Sequence, residues 1–404
     1  MKILRISGMF LSFLLVSGIG FSQDSLTKVK AAPAKKWYES FGIRGYVQFR
    51  YNRLFETNPK LKCEQCDRSW GENGGFFLRR VRIIFSGNIS DNVYFYIQPD
   101  FGSSASATGL NFGQLRDAYF DVSIDKKKEF RIRLGQSKVP FGFENLQSSQ
   151  NRLALDRNDA INSPLSNERD LGAYLMWAPA EKRELFARLV SSGLKGSGDF
   201  GAIAFGFYNG QTANRPELNN SPHVVGRFSW PFELANGQII EASLQGYTGK
   251  YVITDTTRGV KVINTKAEYK DQRVAASFIL YPQPFGLQAE FNIGKGPQYD
   301  PSSNSILEKD LSGGYVLASY MFKPGKQLII PFSRYQIYKG GKKHELDARS
   351  YDVEEFELGL EWQINKTLEL VTMYTISHRV FEDGKLPDND QKGRLLRIQA
   401  QINF

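Results

Sequence analysis

Arginines an even number of residues apart are the side chains best suited to chemistry in this chain: Arg44 and Arg50, Arg80 and Arg82, Arg131 and Arg133, then Arg227 and Arg397 in the same kind of setting. A guanidinium stays charged and offers a planar fork of donors that can replace water around phosphate or carboxylate oxygens. A second basic set, Lys138, Arg152, Arg157 and Arg169, is spread through one irregular stretch between residues 138 and 169. Acids occupy comparable positions at Asp100, Asp117, Asp121, Glu241, Glu290, Glu357 and Glu361. Two arrangements therefore stay open: a basic path for anions, or arginines paired with carboxylates across a polar space.

Other chemistry finds little support. The only histidines are His223, His344 and His378, and none has a Ser and an acid spaced to suggest a triad, so no catalytic residue is assigned and no enzyme is expected. Cys63 and Cys66 are the only cysteines; in an oxidising compartment they read as a short-loop disulfide or a pair of thiols. A metal site would need further ligands and no histidine lies close by, so neither a metal nor another cofactor is expected.

The elements that must position these arginines alternate with period two from residue 42 to the end. Ile43, Val47, Phe49 and Tyr51 share one face of the first strand, and Arg44, Tyr46, Gln48, Arg50 and Asn52 the other. Sixteen such segments can be counted, at 42–53, 76–88, 93–102, 113–124, 129–137, 170–177, 200–209, 222–230, 239–248, 270–281, 286–294, 312–322, 327–337, 353–363, 367–378 and 392–404. The implied fold is all-β, a closed antiparallel transmembrane β-barrel, because a bilayer tolerates no unpaired sheet edge. Short turns alternate with long outward loops, expected at 54–75, 138–169, 210–221, 249–269, 295–311, 338–352 and 379–391. Residues 179–194 read as one short helix on the side of the short turns, with a strand pair as the alternative. Arg79 and Arg116 fall in phase with lipid-facing neighbours and are expected to snorkel to headgroups.

Lys2 and Arg5, the apolar run 6–19 and Gly20-Phe21-Ser22 form a signal peptide over 1–22, followed by a leader over 23–41 and the barrel over 42–404. Lys and Arg number 52 against 42 Asp and Glu; removing Lys2 and Arg5 leaves 50 against 42, a net +8. That modest excess points to small anionic solutes, and a secreted chain offers no reason to expect nucleic acid. The alternating last strand ends on Phe404, a terminal aromatic that resembles the signal read by the barrel-assembly machinery of outer membranes. Outer-membrane lipid is then the expected surrounding, with the chain integral to that membrane.

Arg80-Val81-Arg82, residues 94–100, Asp117-Ala118-Tyr119 and the run from Arg133 to Gly142 together resemble the phosphate-selective porin O and P family, and 207–210 and 331–335 continue the likeness. The resemblance implies a sixteen-stranded trimeric barrel, a third outer loop folded inward to bring Lys138, Arg152, Arg157 and Arg169 to a constriction, and a basic ladder that passes phosphate-like anions. The other functional reading is a surface-binding or structural barrel with a plugged lumen. The Gln23 start after Phe21-Ser22 also resembles secreted proteins of Bacteroidetes.

Overall fold

Residues 36–64, 66, 70, 75–103 and 111–404 are described in the computed structural model; the signal peptide expected over 1–22 and most of the leader expected over 23–41 lie outside them. Among the described residues sixteen strands form: β1 (Phe41–Leu54), β2 (Phe76–Asn88), β3 (Val93–Asp100), β4 (Gln114–Ser123), β5 (Phe130–Lys138), β6 (Arg169–Trp177), β7 (Ile203–Tyr208) and β8 (His223–Glu233). They continue with β9 (Ile239–Val252), β10 (Glu268–Leu280), β11 (Phe285–Asp300), β12 (Ser305–Tyr320), β13 (Leu328–Gly341), β14 (Ser350–Gln363), β15 (Leu368–Glu382) and β16 (Asp390–Asn403). Each strand pairs antiparallel with its sequence neighbours, and β1 pairs with β16, so the barrel is closed. Closure reaches the last residue: Gly45 N donates to Phe404 O at 2.8 Å and Phe404 N to Gly45 O at 3.0 Å. Any Cβ at Gly45 would meet Arg82 O at 2.3 Å and the Phe404 ring at 2.7 Å, so only glycine fits that seam.

Alternation decides which way each side chain points. Along β9, Glu241, Ser243, Gln245 and Tyr247 are buried in the interior while Ala242, Leu244 and Thr248 are exposed outside. Phe205 and Phe207 on β7 are both about half exposed. An outer wall this apolar needs a hydrocarbon surrounding. At the end where β1 begins and Phe404 lies, Phe130, Trp177 and Trp230 form part of an aromatic girdle, with ring centroids 6.2 and 6.5 Å apart along the row. We call this the periplasmic end and the opposite one the outer end.

The helix expected over 179–194 is present as Ala180–Ser191, which removes the strand-pair alternative. Two expected outer loops differ. The connection 295–311 is mostly strand, because β11 and β12 stay in register up to Asp300 opposite Ser305; the Gly and Pro residues that suggested a loop are absorbed within the ladder, Pro297 facing Glu308. The connection 338–352 shrinks to 342–349 and turns inward, burying Lys342, Lys343, Glu345 and Asp347.

Two β-bulges overturn the lipid-facing assignment of Arg79 and Arg116. Gln48 faces Arg80 but Phe49 faces Leu78, leaving Arg79 as the extra residue; Gln98 faces Asp117 but Pro99 faces Leu115, leaving Arg116. One inserted residue reverses the phase. Arg79 donates to Cys66 O at 2.6 Å, and Arg116 is buried with its Nε 3.4 Å from Asp100.

The interior is not polar throughout, as strict alternation implies. Leu185 and Leu189 of the helix Ala180–Ser191 enter the barrel and pack with Phe143 and Ile161 against Ile279, Leu317, Ile330 and Val371 of the wall. Those wall residues face inward because protein, rather than water, covers them.

Candidate permeation path

Segment 139–168, the third outer connection, lies inside the barrel, with two short helical turns, α1 (Phe143–Leu146) and α2 (Asp159–Asn162); the helix Ala180–Ser191 is α3. The chain enters through Gly142, at φ +82°, where a Cβ would stand 2.4 Å from Ile161 Cγ2. Partners on the far wall then hold the segment. Glu290 on β11 accepts from the backbone N–H groups of Phe143 and Glu144 at 2.6 and 2.7 Å. Glu144 pairs with Arg334 on β13 at 2.7 Å, and Asp159 with Arg379 on β15 at 2.6 Å and with Lys342. Asp156 meets Arg397 on β16 and lies 3.6 Å from Arg50 on β1. Burial pushes the Asp159 carboxyl up, but Arg379 and Lys342 outweigh it and hold the group at about 2.

Each of the eight wall arginines singled out in the sequence faces the interior. Arg82 pairs with Asp100 at 2.8 Å, Arg131 with Asp199 at 2.6 Å and Arg133 with Asp121 at 2.7 Å, and Arg227 lies 3.3 Å from Glu241. Arg50 donates to Gln399 at 2.6 Å and Arg397 to Thr375 at 3.3 Å, besides their shared contact with Asp156. Arg44 and Arg80 differ: Arg44 donates to Ser86 at 2.9 Å and Arg80 to Gln48 at 2.8 Å, both neutral.

The basic residues of the segment and of the two strand ends that flank it divide in the same way. Arg157 pairs with Glu168 at 2.7 Å, and Arg169 with Asp117 at 2.9 Å and Glu168 at 2.8 Å. Among the described residues Lys138 donates to the carbonyls of Leu146 and Gln147, each at 2.8 Å. Arg152 reaches Leu155 O at 3.2 Å while its Nε and Nη1 are buried with no partner. Burial, then the charge of Arg157, lowers the Arg152 guanidinium to about 9.

Two interior cavities lie on the β1–β5 side, the first against β2–β4 and the second against β1–β5. The one nearer the outer end holds about 120 Å³ and is lined by Arg79, Arg80, Arg116, Arg152 and Arg157, with Asp100, Asp156, Glu64 and Glu168. The deeper one holds about 260 Å³ and is lined by Arg44, Arg82, Arg133, Lys138 and Arg169, with Asp117 as a carboxylate. The water-accessible side of the lumen thus follows β1–β5, while β9–β15 are dry-packed by segment 139–168 and α3.

Sequence reasoning missed Arg79 and Arg116, hidden by the bulges, as well as Lys342 and Lys343, hidden in a short inward turn. It also passed over Arg379, although that residue shares the phase of Thr375 and Ser377, a signal that was available. The Cys63–Cys66 disulfide closes a turn in the first outer loop, whose Trp70 reaches inward over Arg379 and Arg397 with guanidinium carbons 4.8 and 5.2 Å from the ring centroid.

A closed sixteen-stranded barrel with an apolar outer belt, a charged interior and an inward third loop defines an outer-membrane porin. Residues 62–404 match phosphate-selective porin O and P, and the chain belongs to that family. It is an integral outer-membrane protein. Among solved structures, OmpF of Salmonella typhi in complex with daunomycin is 11% identical, covers 90% of this chain and 97% of its own, and superposes with a TM-score of 0.53. The trimer form of in-vitro folded OmpT, an outer-membrane protein of Vibrio cholerae, is 9% identical over 90% of this chain and 100% of its own, with a TM-score of 0.51. At such identities the likeness is one of fold. No curated protein matches the sequence significantly.

Proposed function

We propose that this porin passes small anions, phosphate among them, along the β1–β5 side of its lumen. One observation carries the reading: Arg44, Arg80, Lys138 and Arg152 all line the two cavities, and among the described residues none makes an ion pair with a carboxylate. Arg80 and Arg152 are buried, Lys138 is half-buried and Arg44 is exposed to the lumen; cations left without counter-charge there favour an anion, which for the buried pair also replaces lost hydration. The acids of the wall largely pin segment 139–168 or neutralise other arginines, so the residual field along the passage is positive. Phosphate suits the outer cavity because several guanidinium groups border a space of about 120 Å³.

The test is a planar bilayer with the folded chain in a potassium chloride gradient. A reversal potential on the chloride side, followed by a fall in chloride current as phosphate is added, is expected. Potassium preference overturns the proposal, and chloride preference indifferent to phosphate reduces it to a general anion pore. A second reading has its own support, since Trp70, segment 139–168, turn 342–349 and α3 all occupy the interior: a plugged barrel that binds a partner at its surface. Absence of any conductance would favour it.

We assign the assembly as a homotrimer, supported by the trimer form of the structurally similar OmpT. Mass measurement in detergent checks this. Phe404, whose ring is exposed at the seam, is assigned as the handle for the barrel-assembly machinery, and cleavage after Ser22 as the step that produces the mature chain. N-terminal sequencing of membrane-extracted protein should return Gln23.

A further inference from the structure

The outer wall carries a notch opposite β8–β13. Strand register aligns Gly226, Gly246, Val274, Ile293 and Ser312 in one row across β8 to β12, and Lys339 on β13 ends that row. Two residues nearer the outer end on β11 stands Lys295, opposite Gln272 and Asp310. Gly226, Gly246 and Ser312 leave, beside Val274 and Ile293, a trench of about 1150 Å³ that has these lysines at its upper rim. Below it, toward mid-membrane, a second and almost wholly apolar hollow of about 490 Å³ continues over Ala276, Ala289, Gly314, Val316 and Ile337.

We propose that this trench is a binding site for one anionic lipid of the outer leaflet, its phosphate held by Lys295 and Lys339 and an acyl chain laid along the glycine row into the lower hollow. Depth and charge agree. On β11 the outward residues Phe285, Leu287, Ala289, Phe291 and Ile293 form the greasy belt, and Lys295 is the next outward residue, where the headgroup layer begins. Lys295 forms no ion pair among the described residues, and the pair of Lys339 with Asp352, 3.6 Å apart and exposed on both sides, is weak enough to yield to phosphate. The remainder of the belt is filled by large side chains such as Phe205, Phe228 and Leu244, so the glycines make a gap of defined position. A flat bilayer surface would leave such a gap poorly packed, and an acyl chain seated in it recovers the lost contacts. The site lies on the opposite side of the wall from the passage and is independent of what permeates.

The experiment uses full-length protein purified in detergent, titrated with bisphosphorylated lipid A or with phosphatidylcholine and read by native mass spectrometry. One lipid A retained per chain, and no retained phosphatidylcholine, is expected. The double variant Lys295→Gln/Lys339→Gln should weaken lipid A retention about tenfold or more. Gly226→Phe should abolish it by filling the trench; no atom lies within 4 Å of a Cβ placed there, so the barrel itself tolerates the change. Unchanged conductance in both variants confirms that they fold. Equal retention of both lipids, or retention of lipid A untouched by both variants, overturns the proposal. Loss of the oligomer in Gly226→Phe with lipid retention unaltered overturns it as well, and assigns the trench to contact between copies.

Discussion

At the scale of single residues, the interior separates cations that hold structure from cations left to attract a solute. Arg82 and Arg133 each have a carboxylate at 2.7–2.8 Å, whereas Arg80 and Arg152 have neutral oxygens. Arg80→Gln and Arg152→Gln should therefore each lower the chloride-to-potassium preference, while Arg133→Gln should chiefly destabilise the fold by orphaning Asp121. Because burial and Arg157 lower Arg152 to about 9, its charged form is lost as pH rises through that value. Anion preference should fall across the same interval, and the inflection should vanish in Arg152→Gln; reversal potentials at stepped pH measure both. Asp159 illustrates the opposite case. Its folded-state value of about 2 lies below the ordinary value of about 3.9, so its contribution to stability is full above the latter and is lost as pH falls through the former. Asp159→Ala leaves Arg379 with Glu355 alone and Lys342 without its nearest acid, at a cost of about 3–5 kcal/mol. Noisier and larger conductance from a loosened segment 139–168 is the expected result.

At the scale of elements, α3 and segment 139–168 share one apolar cluster, so each stabilises the inward position of the other. Leu189→Ala, which removes a fully buried side chain from that cluster, should cost about 2–5 kcal/mol and open α3 to protease without changing the strand content seen by circular dichroism. Protection equal to wild type would show that α3 is held by its ends alone. The same elements show what the sequence carries and what it conceals. Strands such as β1 and β9 were legible because one face meets lipid and the other a polar interior. Arg79 and Arg116 were misplaced because a bulge moves a residue to the other face without altering composition, and only cross-strand register reveals it. The inward apolar residues of β13 and β15, Ile330 and Val371 among them, also defy simple alternation, since what covers them is a helix distant in sequence. Inward folding of 139–168, rather than a surface loop packed on neighbouring subunits, was suggested by the length of the connection and by family resemblance, but its pairing with Arg334 and Arg379 depends on contacts between residues some 190 and 220 positions apart.

For the whole molecule, the controlling feature is an inversion of the usual solvent order: side chains outside are chosen for hydrocarbon, and those inside for charge and for each other. Four of the five tryptophans, Trp70, Trp177, Trp230 and Trp362, sample both sides. Trp177, Trp230 and Trp362 lie on the outer face near the periplasmic ends of β6, β8 and β14, where an aromatic ring with one polar atom suits the headgroup boundary. Trp70 is buried inside, its Nε1 3.4 Å from Asp156. In variants that retain one tryptophan, the others being Phe, phospholipids brominated near the headgroup should quench Trp177, Trp230 and Trp362 strongly, and bromines near the chain terminus should quench them less. Trp70 should be indifferent to both. Its emission should respond instead to Asp156→Asn, which leaves the lipid-facing wall untouched and removes the charge beside the indole together with its pairing to Arg397 and Arg50. Quenching of Trp70 by brominated lipid would place that part of the first outer loop against the membrane and remove Trp70 from its position over Arg379 and Arg397.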